Sequence, residues 1–245
     1  MRFPISLVLA AAWLARAQTG DGTLKIGPVK TTVNLEGQAV EIAVWGTARA
    51  EPAGVFHLAM TADLGDLQDH LTAVLAAQLN RSERCGERMT VERAVVTPSE
   101  PAAALTANLH YERYACVKAL GKEVVKKLAG GDAVVEARLT PSIGENGIAV
   151  EAEVGKIDAD GLLGDLLRSG ALGNWLREKI ASSIESAAGK AVDLKTMLPT
   201  EMGSATKLGS AWFADGGSGR LWLTLSGEVR PGAGQLPEAA KEPAR

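Results

Sequence analysis

Apolar and polar residues alternate along much of this chain. In GIAVEAEV, Ile148, Val150, Ala152 and Val154 fall on one side while Glu151 and Glu153 fall on the other. Just before it, Ala133, Val135, Ala137 and Leu139 alternate with Glu136 and Arg138, and TPSIGENG reads as the turn of a hairpin. MTVERAVVT and LTANLHYERYA form a second pair, joined by PSEPAA from Pro98 to Ala103. Further strands are expected at Val40 to Ala48, Val55 to Ala62 and Arg220 to Val229, the last with Leu221, Leu223, Leu225 and Val229 as its apolar row. Strands with one apolar face belong to antiparallel sheets covered on one side.

Two segments keep a helical spacing instead. From Leu64 to Leu79, the ridge Leu64, Leu67, Leu71, Val74, Leu75 and Leu79 stands against Asp66, Gln68, Asp69 and Gln78. A second helix is predicted from Asp160, which can cap it, to about Val192. Its ridge includes Leu172, Leu176, Ile180 and Ile184, and Gly170 and Gly173 divide it into two pieces. Those glycines serve either close helix–sheet packing or a movable lid. Asp165, Arg168, Arg177, Glu178 and Lys179 rule out a membrane span here, since each charge near mid-bilayer costs about 2.5–3.5 kcal/mol.

The pattern therefore predicts an α+β fold, a strongly bent antiparallel sheet wrapped around one or two long amphipathic helices. The order of strands, helix, long hairpin, LTPSIGENGIAVEAEV, long helix, DLKTMLP and two last strands resembles the tubular lipid-binding superfamily, in particular its exported bacterial branch. That resemblance covers roughly Thr23 to Arg230. It implies a single module with an elongated apolar groove for acyl chains and carries over no diagnostic residue. On this reading the groove is lined by Leu71, Leu75, Val135, Leu139, Ile148, Val150, Leu172, Leu176, Ile180, Ile184 and Leu223. With aromatic residues at only 4% of the chain, small aliphatic walls suit an alkyl chain, and they would equally build a fully packed core.

The first residues bear on location. Arg2, the apolar run from Ile5 to Leu14 and ARA at Ala15 to Ala17 read as a signal peptide spanning residues 1–17. Residues 18–230 then form one domain, and the Pro-, Ala- and charge-rich stretch 231–245 reads as a disordered tail. After cleavage, 24 basic residues face 29 acidic ones, a net charge of −5, which offers no field for nucleic acid. Lys122 to Lys127 reads as a solvated basic face. In a periplasmic or secreted protein the two cysteines, Cys85 and Cys116, are expected to pair. Their numbers sum to 201, as do those of opposite residues across a hairpin turning at PSEPAA, so the bridge would close its open end.

Candidate chemistry is sparse. His57, His70 and His110 lack the spacing of a helical metal pair and read as surface residues, His70 beside Asp66. No serine lies in G-x-S-x-G, GGSGR from Gly216 reads as a turn, and DADG from Asp158 lacks the later ligands of a calcium loop. The expectation is a non-enzyme with no cofactor and no metal. It binds or carries a lipid or another long apolar ligand, with a membrane surface, an envelope protein or a second copy as further partners. The alternative is an envelope scaffold that presents Trp175, Trp212 or Trp222 over a packed core. An unrecognised hydrolase is the third reading.

Overall fold

The computed structural model describes residues 23–51, 54–82, 84–119, 122–144, 147–159 and 206–230, together with Gly164, Asn174, Arg177, Glu178, Ala181 and Ser182. Three strands come first: β1 (Thr23–Leu35), β2 (Gln38–Glu51) and β3 (Val55–Asp63). One helix, α1 (Gly65–Leu79), leads into β4 (Arg81–Ser82), β5 (Gly86–Ser99), β6 (Ala102–Ala119), β7 (Lys122–Gly144) and β8 (Gly147–Ala159). The last pair is β9 (Thr206–Asp215) and β10 (Leu221–Val229).

These strands form two five-stranded sheets, one ordered β1-β2-β3-β10-β9 and the other β4-β5-β6-β7-β8, and every pairing is antiparallel. This corrects the expected α+β architecture. Among the described residues the fold is mostly β, with one 15-residue helix lying against two sheets, and it is not a sheet wrapped around long helices. The reason is visible in β6 and β7, which reach 18 and 23 residues by absorbing segments that look like loops. Lys122 to Gly131 and Thr140 to Gly144 have poor strand propensity, yet each is paired in register with a neighbour. Ladder bonding outweighs propensity there. Pro98–Ala103 and Thr140–Gly147 shrink likewise, since Ser99 pairs with Ala102 and Gly144 with Gly147. The expected second helix lies largely outside the described residues, as do the stretches 1–17 and 231–245; its six described positions are helical.

Register shifts interrupt five of the pairings, in β1–β2, β10–β9, β5–β6, β6–β7 and β7–β8. Each such bulge bends its strand and increases the local twist. The β1–β2 connection turns through Glu36 and Gly37, both at positive φ (51° and 85°), and Asn34 Oδ1 accepts the Gly37 N–H at 3.0 Å. Two consecutive positive φ values define the tight turn whose twist suits a hairpin, and the second is met at no steric cost by glycine.

A polar knot joins the helix start to the last hairpin. Arg220 Nε donates to both Asp63 oxygens at 2.7 Å, and the Leu64 N–H donates to the Leu221 carbonyl at 2.9 Å. Gln68 donates to the carbonyls of Val96 (2.9 Å) and Gly219 (3.0 Å), while its Oε1 accepts the Leu221 N–H at 2.7 Å. A Cβ on Gly65 would stand 2.7 Å from the Arg220 guanidinium, so only glycine lets the arginine lie over the helix start. GGSGR forms the expected turn, held by Gly217 and Gly219 N–H groups donating to Asp215 Oδ1 at 2.8 and 3.2 Å.

Candidate functional site

The inner faces of both sheets and the ridge of α1 build one continuous aliphatic cluster. Strand alternation puts Val135 and Leu139 from β7, Ile148 and Val150 from β8 and Leu223 from β10 into it, and the helical repeat adds Leu75; all six are buried. Leu71 packs against the cluster from a half-buried position. The other proposed lining residues, Leu172, Leu176, Ile180 and Ile184, lie outside the described residues. Phe213 and Tyr111 are the aromatic members of the buried cluster. Burial, and secondarily the Glu87 charge, pushes the Tyr111 hydroxyl up to about 12, so the ring stays neutral at physiological pH.

The cluster changes character at the sheet edges. In edge strand β8 the inward row begins with buried Ile148 and Val150 and continues through Ala152, Val154, Ile157 and Ala159, all half-exposed and apolar. On the far edge of the other sheet, β1 has half-buried Leu24 and Val33 beside buried Ile26 and Leu35, but half-buried Thr31 interrupts its inward row opposite Ile42. The β8 row therefore passes from the interior towards solvent with no polar side chain interrupting it. Such a wall removes alkyl surface from water at about 25 cal/mol per Å² and offers no hydrogen bonds to a polar ligand.

Beyond the body, β6 and β7 continue as a two-stranded ribbon. Pairing of β5 with β6 ends at Gly86–Tyr114 and pairing of β7 with β8 begins at Ala133, while β6 and β7 stay paired out to Ala119–Lys122. Near the root the Cys85–Cys116 disulfide ties the start of β5 to β6, with Cα atoms 5.5 Å apart. A bulge between Arg113 and Tyr114 on the β6–β7 ladder leaves Leu128 unpaired and 49% exposed. Val117 and Val124, directly opposite each other, are 57% and 50% exposed. The ribbon carries Lys118, Lys122, Lys126 and Lys127 against Glu123, with Arg113, Glu112 and Asp132 at its root, in a chain whose net charge is −3. The segment expected to be a solvated basic face is thus a strand carrying both charge and exposed apolar side chains.

The histidines stand on outer surfaces. His57 Nε2 lies 3.0 Å from Glu51, and His70 Nδ1 lies 2.8 Å from the Asp66 carbonyl oxygen. His110 is different, because Asp132 and Glu112 flank its ring and Glu92 stands nearby. On the outer face of the first sheet, Trp45 and Trp222 meet edge to face with ring centroids 5.1 Å apart. Trp212 and Trp222 are half-buried, and Trp175 lies outside the described residues.

The disulfide fits an exported protein. Among the described residues, no helix is long and apolar enough to cross a membrane. No protein-family profile matches the chain, and no curated protein matches it in sequence. Among solved structures, the chain is similar to one titled "Crystal structure of lipopolysaccharide binding protein", with 9% identity and a TM-score of 0.39. The match covers 90% of this chain and 46% of that one, so the chain spans less than half the length of its neighbour, and the likeness is one of architecture alone.

Proposed function

We propose that this protein is an exported, non-catalytic binder or carrier of a lipid or another long apolar ligand, taken up along the aliphatic inner faces of the two sheets. The observation that carries the reading is the passage of the β8 inward row from full burial at Ile148 and Val150 to half-exposure at Ala152, Val154, Ile157 and Ala159 without a change to polar residues. A closed core ends in polar positions at its rim; an unbranched alkyl chain needs an apolar path that reaches the rim. The ligand class agrees with what the resemblance to tubular lipid-binding proteins implies. The ribbon supports a membrane surface as the place of exchange, since Val117, Val124 and Leu128 can enter the headgroup region while the lysines meet anionic lipid.

A second reading is a scaffold whose interior is filled by its own side chains. It is favoured by the centre of the cluster, where Leu223 and Val40 are wholly buried. Native mass spectrometry of the gently purified protein, followed by organic extraction, separates the two. A carrier shows an added mass that extraction recovers as lipid at near one per chain. Repeated observation of the bare polypeptide mass, with no lipid extracted, overturns the carrier and leaves the scaffold.

A further inference from the structure

Glu92, His110 and Asp132 come from three neighbouring strands and converge on the outer face of the second sheet. His110 pairs with Asp132 across β6–β7 and with Thr90 across β5–β6. The β5 bulge supplies the third group: Val91 pairs with Leu109 and Arg93 with Asn108, so Glu92 is the additional residue and stays on the exposed face beside His110. One donor atom from each of the three lies within 4.8 Å of the others, and His110 Nδ1 stands 2.5 Å from Asp132 Oδ1.

From this geometry we infer a binding site for a divalent transition ion of the zinc class, held by Glu92, His110 and Asp132. An imidazole with two carboxylates suits a borderline ion, and bond lengths near 2.0–2.2 Å place tetrahedral ligand atoms about 3.3 Å apart. Rotation of the exposed Glu92 side chain and a slight opening of the His110–Asp132 contact reach that spacing on a fixed strand framework. The ion takes the place of the proton between His110 Nδ1 and Asp132 Oδ1. The ring then binds as the neutral tautomer with its N–H on Nε2, and an imidazole that starts protonated gives one proton to water.

The other side of the ring supplies an independent argument. Glu112 Oε1 lies 3.7 Å from His110 Nε2, and Glu112 is itself held by Lys127 at 2.6 Å and by the Tyr114 hydroxyl at 3.0 Å. A carboxylate hydrogen-bonded to the second ring nitrogen is the usual outer partner of a metal-binding histidine, and at 3.7 Å Glu112 stands one small side-chain movement from that contact. Glu112 is thus a positioning residue. Two carboxylates and a neutral ring balance the charge of the ion, and a fourth coordination position remains for water. The ion would tie β5, β6 and β7 together where the ribbon leaves the sheet, apart from the aliphatic interior, so this inference does not depend on the carrier reading.

The test uses tag-free, EDTA-stripped full-length protein titrated with ZnCl2 by calorimetry, with zinc-edge absorption to identify the ligands. One ion per chain, a shell of nitrogen and oxygen with no sulfur, and affinity at least tenfold weaker in both Glu92→Gln and His110→Ala are expected. Glu112→Gln should weaken binding by about 10–100-fold, while His57→Ala and His70→Ala leave it unchanged. Unaltered melting of the metal-free variants shows that these exposed changes have not unfolded the sheet. Failure to take up a stoichiometric ion, or equal uptake by parent, Glu92→Gln and His110→Ala, overturns the site.

Discussion

Replacing both Cys85 and Cys116 by serine removes a cross-link between residues 31 apart in sequence. A chain-entropy estimate for a loop of that size gives a loss of about 3.7 kcal/mol at 25 °C. Little of this loss should arise in the folded state, because the β5–β6 ladder continues without the bridge from Gly86–Tyr114 to Ser99–Ala102. The effect falls on the unfolded chain, which regains the freedom to separate the two ends. With a urea slope of about 2–3 kcal/mol per M, the unfolding midpoint should fall by about 1–2 M. Tryptophan fluorescence of the parent and the double variant in a urea series measures it. Hydrogen exchange should also quicken at amides near Val117 and Val124, whose only ladder among the described residues is β6–β7. Coincident midpoints would refute the reasoning, since the unfolded ensemble would then already hold that hairpin closed.

Other perturbations probe other parts of the fold. Leu223→Ala, at a wholly buried position in β10, should cost about 2–5 kcal/mol in denaturant unfolding. Gln68→Ala removes bonds to Val96, Gly219 and Leu221 and should cost about 1–3 kcal/mol by leaving part-buried backbone groups unpaired. Val117→Asp with Val124→Asp should abolish co-sedimentation with phosphatidylglycerol vesicles while leaving the melting temperature close to that of the parent. Ultraviolet titration should show Tyr111 ionising at about 12. Because its folded value is raised, the neutral ring's contribution to stability is complete below about 10, the unfolded value, and is lost as pH climbs through the folded one.

The strands that sequence shows well are those where one face is fully buried, because alternation survives only where solvent and core demand different residues. Val135, Leu139 and Leu223 were legible for that reason. The β6–β7 ribbon was not, since both of its faces meet water and Lys118, Lys126 and Lys127 are free to fall in any order. Cys85 and Cys116 were paired correctly because a hairpin sum tolerates a slip of one: the bulge at Glu92 changes the register from 201 to 200 between Arg93–Asn108 and Val91–Leu109 without separating the cysteines. The same slip hides the cluster around His110. A register of 201 sets His110 against Val91, and Asp132 joins it only through a β6–β7 pairing that the hydrophobic pattern does not announce. Strand was underestimated because Lys122 to Lys127 read only as a solvated basic face and TPSIGENG as a turn, which left β6 and β7 too short.

The position of β10 between β3 and β9 bears on how the chain reaches its final form. The second sheet is a meander of consecutive strands and can close as soon as β8 has formed. The first must wait, with the edge of β3 open, for residues more than 150 positions later, as the Asp63–Arg220 contact across 157 residues shows. Contacts this distant slow folding and leave an unpaired edge exposed meanwhile. A chain that emerges N-terminus first would have its second sheet ready before its first, with the β3 edge left open until the last hairpin arrives.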